Sequence, residues 1–153
     1  MAPPSLRYIG LALLAFFLST GLLAVSYAQG KAPAVAGITL GMSPDDVRGV
    51  LGAPELQQVS LGMRFSEYRA RGITVIWRED ATGVHGIVLS KPDAGEVNGV
   101  RVGDPAGNIS SKWGQPVRIR QSGRFLDFAG RGWTLSAEVA RGRAVEITLL
   151  AAR

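Results

Sequence analysis

The chain states one pattern twice. GITLGMSPDDVRGVLGAP, beginning at Gly37, returns as GVRVGDPAGNISSKWGQP, beginning at Gly99. A shift of 62 places Gly37, Gly41, Val47, Leu51, Gly52 and Pro54 on Gly99, Gly103, Ile109, Trp113, Gly114 and Pro116. Further on the shift falls to 60, where EYRARGITV at Glu67 meets DFAGRGWTL at Asp127 and GIVL at Gly86 meets EITL at Glu146. The pattern predicts two tandem units, 37–92 and 99–153, joined by a linker over 93–98 and preceded by an N-terminal tail over 29–36. Each unit alone is near the lower limit for a core that folds by itself, so the two are expected to share one joint or continuous sheet.

Each unit opens with a helix signal. Ser43-Pro44-Asp45-Asp46 offers a hydroxyl for the first free amides, a proline where no amide is needed, and two carboxylates at the positive end of the helix dipole. Val47, Val50 and Leu51 form one apolar stripe over about two turns, and Gly52 with Pro54 ends it. So short a helix is stable only if that stripe is buried. In the second unit Asp104-Pro105 is expected to start the helix one residue earlier; Gly107 and Asn108 weaken it, and Ile109 and Trp113 anchor it.

After each helix the apolar period becomes two, as in strands with one solvated face. Ile73, Val75 and Trp77 oppose Thr74, Ile76 and Arg78; Trp133, Leu135 and Ala137 oppose Thr134, Ser136 and Glu138. A last strand turns Ile87 and Leu89 inward, matched by Ile147 and Leu149. Phe65 and Tyr68, like Phe125 and Phe128, are three apart and require a bulge or a split between two faces. Each unit therefore reads as a lead-in strand, a short helix and an antiparallel meander of about three strands, an α+β fold.

The motif G-M-S-x-x-D-V-x-x-x-L-G-x-P from Gly41 to Pro54 resembles the start of small envelope domains of the SmpA/OmlA type. The tandem arrangement is similar to that of the β-lactamase inhibitor proteins of the superfamily that also holds the β-barrel assembly lipoprotein. The resemblance implies helix-plus-sheet units in one continuous sheet, with a concave open face that grips another protein. This chain has no cysteine, and so has neither the lipid-acceptor cysteine of the assembly lipoproteins nor the disulfides of the inhibitors. No binding residues transfer by motif.

The N-terminus reads as a targeting segment. Arg7 precedes an apolar run from Ile9 to Val25, and Ser26-Tyr27-Ala28 sets small residues at a cleavage site, which predicts a signal peptide over 1–28 and a mature chain starting at Gln29. The alternative is an uncleaved anchor over 9–25. Either way the domain is exported: periplasmic or secreted if cleaved, membrane-tethered if not.

The formal net charge of +5 is unevenly spread. Residues 37–92 hold six basic and six acidic side chains, whereas 99–153 hold nine basic and four acidic. For an exported chain this favours an anionic envelope polymer, a lipid surface or an acidic protein as partner over nucleic acid. Arg118, Arg120, Arg124, Arg141 and Arg143 are the candidate contacts in the second unit, with Thr74, Ile76, Thr134 and Ser136 as candidates on the open sheet face. Charge on an edge strand that repels strand pairing is the competing explanation for Arg118 and Arg120.

Signals for catalysis are sparse, and the chain is read as a non-enzyme. His85 is the only histidine, and no triad motif surrounds it. The alternative is a hydrolytic or small-ligand site at the unit junction, built from His85 with Glu79 or Asp127. Asp45 and Asp46 are explained by the helix dipole, Glu79-Asp80 by a hairpin turn, and the paired glycines by turn geometry, so no metal or cofactor is expected. The three tryptophans, Trp77, Trp113 and Trp133, fall at core positions.

Overall fold

The computed structural model describes residues 30–80 and 82–152. The leader over 1–28, the run over 9–25 and the mature start at Gln29 lie outside them. The first helix, α1 (Pro44–Leu51), precedes β1 (Leu56–Ser60), β2 (Met63–Tyr68), β3 (Ile73–Arg78) and β4 (Val84–Leu89). A 3-10 turn (Pro92–Ala94) leads to α2 (Ala106–Trp113), then β5 (Arg118–Arg120), a second 3-10 turn (Gln121–Gly123), β6 (Phe125–Gly130), β7 (Trp133–Ala140) and β8 (Arg143–Ala151). The fold is α+β, and the strands form one sheet of eight in the order β1-β2-β3-β4-β8-β7-β6-β5. Every pairing is antiparallel, and β4 meets β8 at the centre with Gly86 opposite Leu150 and Leu89 opposite Ile147.

Two expectations about the strands are corrected. Four strands, not about three, follow each helix; the additional ones are β1 and β5, mostly exposed segments without the two-residue burial alternation that marks a strand in sequence. The expected lead-in strands are tight turns. Val35 and Ile38 exchange both backbone bonds across Ala36-Gly37, at φ 52° and 81°, and Val97 and Val100 do the same across Asn98-Gly99, at φ 47° and 78°. Positive φ at both central residues is the geometry of a two-residue hairpin loop, for which Asn-Gly is a strong sequence signal. The chain then clamps a strand end: Gly41 N–H donates to Val84 O at 2.8 Å, and Gly103 N–H to Ala144 O at 2.7 Å. Val35 and Val97, within the expected tail and linker, are core residues, as is Ala94.

The helices are built as their sequences dictate, with two differences. Ser43 Oγ accepts from Asp46 N–H at 3.2 Å, Pro44 opens α1, and Gly52 at φ 82° closes it. Val47 and Leu51 are buried, but Val50 is 44% exposed and leaves the stripe. Helix α2 begins at Ala106, 62 positions after Pro44 and not one residue earlier. Asp104 serves the preceding turn instead, accepting from Arg101 N–H at 3.1 Å, and α2 has no side-chain cap. Its attachment rests on the buried Ile109 and Trp113.

One face of the sheet holds Ile73, Val75, Trp77, Ile87, Leu89 and Leu135 in the core shared with the helices. Trp77 Nε1 donates to the buried Ser66 Oγ at 3.1 Å, Trp113 Nε1 to Val97 O at 2.9 Å and Trp133 Nε1 to Gly30 O at 3.1 Å. The three-residue aromatic spacings are resolved by splitting faces. Tyr68 and Phe128 enter the core, whereas Phe65 and Phe125 pair with Ile76 and Glu138 on the other side.

Candidate functional site: the open sheet face

The second face is left without a helix among the described residues, because both helices bury their stripes in the core on the first. Alternation sets its composition. In the half built from β1 to β4 it carries Leu56, Met63, Phe65, Ile76 and Val88, joined across the centre by Leu150 of β8. These side chains are partly buried. Gly86 makes the join close: a Cβ there would lie 2.5 Å from Leu150 Cδ2 and 3.4 Å from Ile76 Cδ1. The half built from β5 to β8 is polar and charged, with Glu146, Thr148, Ser136, Glu138, Asp127 and Arg118 in cross-strand positions.

The nine sequence-predicted contact residues are not gathered into one basic surface. Thr74, Ile76, Thr134 and Ser136 do share the open face, on β3 and β7. Arg118 and Arg120 share it on β5, but Arg120 forks onto Asp127 with contacts of 2.6 and 2.9 Å, and Ser136 Oγ donates to the same carboxylate at 2.8 Å. Arg124 is held by Glu138 at 2.6 and 2.9 Å. Both guanidiniums also lie over the Phe125 ring, at 4.6 and 5.4 Å from its centroid. Arg143 donates to Gly103 O at 2.9 Å beside α2, and Arg141 occupies the β7–β8 turn at φ 51°. Of the five arginines, Arg118, Arg141 and Arg143 are exposed and outside ion pairs among the described residues.

Sequence reasoning set Glu138 on the outward side of its strand and named Asp127 only for the catalytic alternative; it gave neither a place in this face's network and missed Glu146 and Phe125 as members of it. Continuing the two-residue alternation from Trp133 places Glu138 outward, and the same continuation from Ile147 places Glu146 there. The pair is directly cross-strand, Glu138 opposite Glu146. Burial, then the Glu138 charge, pushes the Glu146 carboxyl above its ordinary value, against the Thr148 hydroxyl that donates to it. The Arg120 guanidinium, helped by Ser136, holds Asp127 below its ordinary value in spite of burial.

These opposite shifts give opposite pH dependences. Stability contributed by Glu146 is fully present below the unfolded carboxylate pKa of roughly 4.3 and is lost as pH rises through its raised folded value. Stability contributed by Asp127 is present above the unfolded value and is lost as pH falls through its lowered one. Glu146→Gln is therefore expected to raise Tm at pH 7 and to lose that advantage by about pH 4. Thermal melts of both proteins between these limits check it; an equal Tm difference throughout contradicts the assignment.

Of the residues of the catalytic alternative, Glu79 lies at the same end of the β3–β4 hairpin as His85, whereas Asp127 is far from it. His85 is on β4 and Asp127 on β6, with β8 and β7 between them, so about 14 Å of sheet separates their strands at roughly 4.8 Å per pairing. Asp80, next to Glu79, is bonded by Arg78 at 2.7 and 2.9 Å. A cavity of about 50 Å³ beside α2 is lined in part by the core aromatics Trp113, Phe128 and Trp133, and a shallow one of about 490 Å³ lies between Pro44, Val59, Arg64 and Arg78. His85 lines neither.

No protein-family model matches the chain, and no curated protein matches it. Solved structures with a similar fold include a cysteine-rich secretory protein from Staphylococcus aureus subsp. aureus Mu50, with a TM-score of 0.61 and 8% identity over 81% of this chain and 48% of that one. An extracellular protein containing a SCP domain from Bacillus anthracis str. Ames is similar with a TM-score of 0.50 and 8% identity, over 73% of this chain and 44% of that one. A DUF4309 family protein, YjgB, from Bacillus subtilis subsp. subtilis str. 168 has a TM-score of 0.52 and 15% identity, over 76% and 83%. The chain spans less than half the length of the first two. At these identities the likeness concerns the fold alone.

Proposed function

We propose that this chain is an exported, non-enzymatic interaction protein of the cell envelope, built from two tandem SmpA/OmlA-like units, that binds a protein or an anionic envelope component on its open sheet face. The observation that carries the reading is the face itself. Eight strands present a surface that no helix of the described residues covers, with an apolar patch around Phe65, Ile76 and Leu150 in one half and a charged network around Arg118, Arg120 and Asp127 in the other. An apolar centre beside a polar, partly ion-paired region is the usual anatomy of a protein-binding surface. The secretory and extracellular descriptions of two structural neighbours agree with export, as does the apolar leader.

The test uses protein recovered from producing cells, with envelope proteins and phosphatidylglycerol vesicles as separate probes. Ile76→Glu is expected to weaken binding of a protein partner by at least about tenfold, equivalent to about 1.4 kcal/mol. Arg118→Glu is expected to weaken it less and to reduce its salt sensitivity. Arg71→Glu, on the β2–β3 turn, is the control. Equal effects from all three substitutions, or binding indifferent to Ile76→Glu, would overturn the open-face reading.

A further inference from the structure

The two edges of the sheet are built differently. β5 has three residues, carries Arg118 and Arg120, and is cut short by Gln121 and Ser122 at φ 49° and 53°. Shortness and charge are the ordinary protections of an edge against strand pairing. β1 has neither. Leu56–Ser60 keeps unbroken register with β2 and contains no charge and no proline, and every residue after Leu56 is exposed. Its tip is apolar as well: Leu61 and Gly62, at φ 52° and 73°, form the two-residue turn to β2, where asparagine or glycine is the favoured first residue. Leu61 is 100% exposed and Val59 61%.

The same turn sets which backbone groups of β1 are free. The residues flanking a two-residue hairpin loop exchange both backbone bonds, and alternate pairs beyond them do the same. Those pairs are Ser60 with Met63, Gln58 with Phe65 and Leu56 with Glu67. Glu55 N–H, donating to Glu67 O at 2.9 Å, closes the ladder. Gln57 and Val59 therefore direct their N–H and C=O groups away from the sheet.

We propose that β1 is a dimerisation edge, on which β1 of a second copy of this chain pairs antiparallel about a two-fold axis at Gln58. In that register Gln57 of each copy faces Val59 of the other and exchanges both backbone bonds. Leu61 of the second copy reaches Pro54 and Glu55, whose carboxylate is already engaged by the amides of Arg69 and Ala70. Charge selects this occupant. From Leu56 to Gly62 there is no charged residue to repel its own copy, whereas β5 against β5 would oppose arginines. Pairing β1 with β5 of another copy leaves an edge at each end and grows without closing, while the two-fold pairing closes.

The test is sedimentation equilibrium of protein recovered from producing cells, together with residue-resolved amide exchange at low and high concentration. A dimer is expected in which the Gln57 and Val59 amides, but not Ile119, gain at least about tenfold protection as concentration rises. Val59→Pro removes only an outward-facing N–H, a site where an edge strand accepts proline, and is expected to weaken dimerisation at least tenfold, with Ile119→Pro as the control on the other edge. A monomer at all concentrations with freely exchanging Gln57 and Val59 amides overturns the proposal. So does a dimer that survives Val59→Pro unchanged. The exchange measurement on the unsubstituted chain decides the matter even if a proline variant fails to fold.

Discussion

Trp113→Ala is expected to lower the unfolding free energy by about 3–5 kcal/mol, the range for truncating a large buried aromatic. Trp113 is 6% exposed and sits at the last turn of a helix that has no side-chain cap. Its ring meets Phe128 edge-on, with centroids 5.2 Å apart and planes at 82°, and its Nε1 donates to Val97 O at 2.9 Å. The alanine variant therefore loses apolar burial, an aromatic contact and the partner of a carbonyl at once, beside a cavity that already exists. Trp113→Phe keeps most of the ring and removes the donor, so its cost is expected to fall to about 1–3 kcal/mol. Urea unfolding of the three proteins measures both; equal midpoints for wild type and alanine variant would show that α2 is not anchored through this residue.

Two glycine-to-alanine changes are expected to act in opposite directions. At Gly83 a Cβ would lie 2.6 Å from Gly41 O and 2.8 Å from Gly41 Cα, both backbone atoms. That contact is where the chain entering α1 clamps Val84, through bonds of 2.8 and 3.0 Å. A methyl group there must push the clamp apart, and the cost is expected at about 1–3 kcal/mol, as for overpacking. At Gly107, inside α2, nothing lies within 4 Å of the added carbon. The alanine there is expected to stabilise by about 0.5–1 kcal/mol, through helix propensity. Thermal and urea unfolding of the two variants should move to opposite sides of wild type.

Legibility in the sequence followed burial. The strands whose alternate residues enter the core, β3 around Val75 and β7 around Leu135, announced themselves by period, α1 by its cap and buried stripe, and α2 by its stripe, Ile109 and Trp113. β1 and β5 did not, because they are held by one neighbour each and bury little, so LQQVS and RIR have the composition of loops. Asn98-Gly99 was visible as a dipeptide, but it fell where the repeat suggested a linker meeting a strand. The open face was half legible: alternation located Thr74, Ile76, Thr134 and Ser136, whereas the neutralisation of Arg120 and Arg124 depends on cross-strand register. Counting charge along the chain cannot see that Asp127 and Glu138 lie beside those arginines.

The seam between β4 and β8 makes the folding problem uneven. All other strand pairings join neighbours in the chain, but Gly86 and Leu150, or Leu89 and Ile147, are about sixty residues apart. Among the strand pairings contact order is therefore low except along one line through the middle of the sheet, and the loop-closure entropy of sheet formation is concentrated there. Until that line closes, Val84–Leu89 and Arg143–Ala151 are edge strands, and each is rich in the β-branched and leucine side chains that pair readily with another chain. The interval between synthesis of β4 and arrival of β8 is when the nascent protein is most exposed to pairing with the wrong molecule, and a chain exported before folding would meet that hazard outside the cytoplasm.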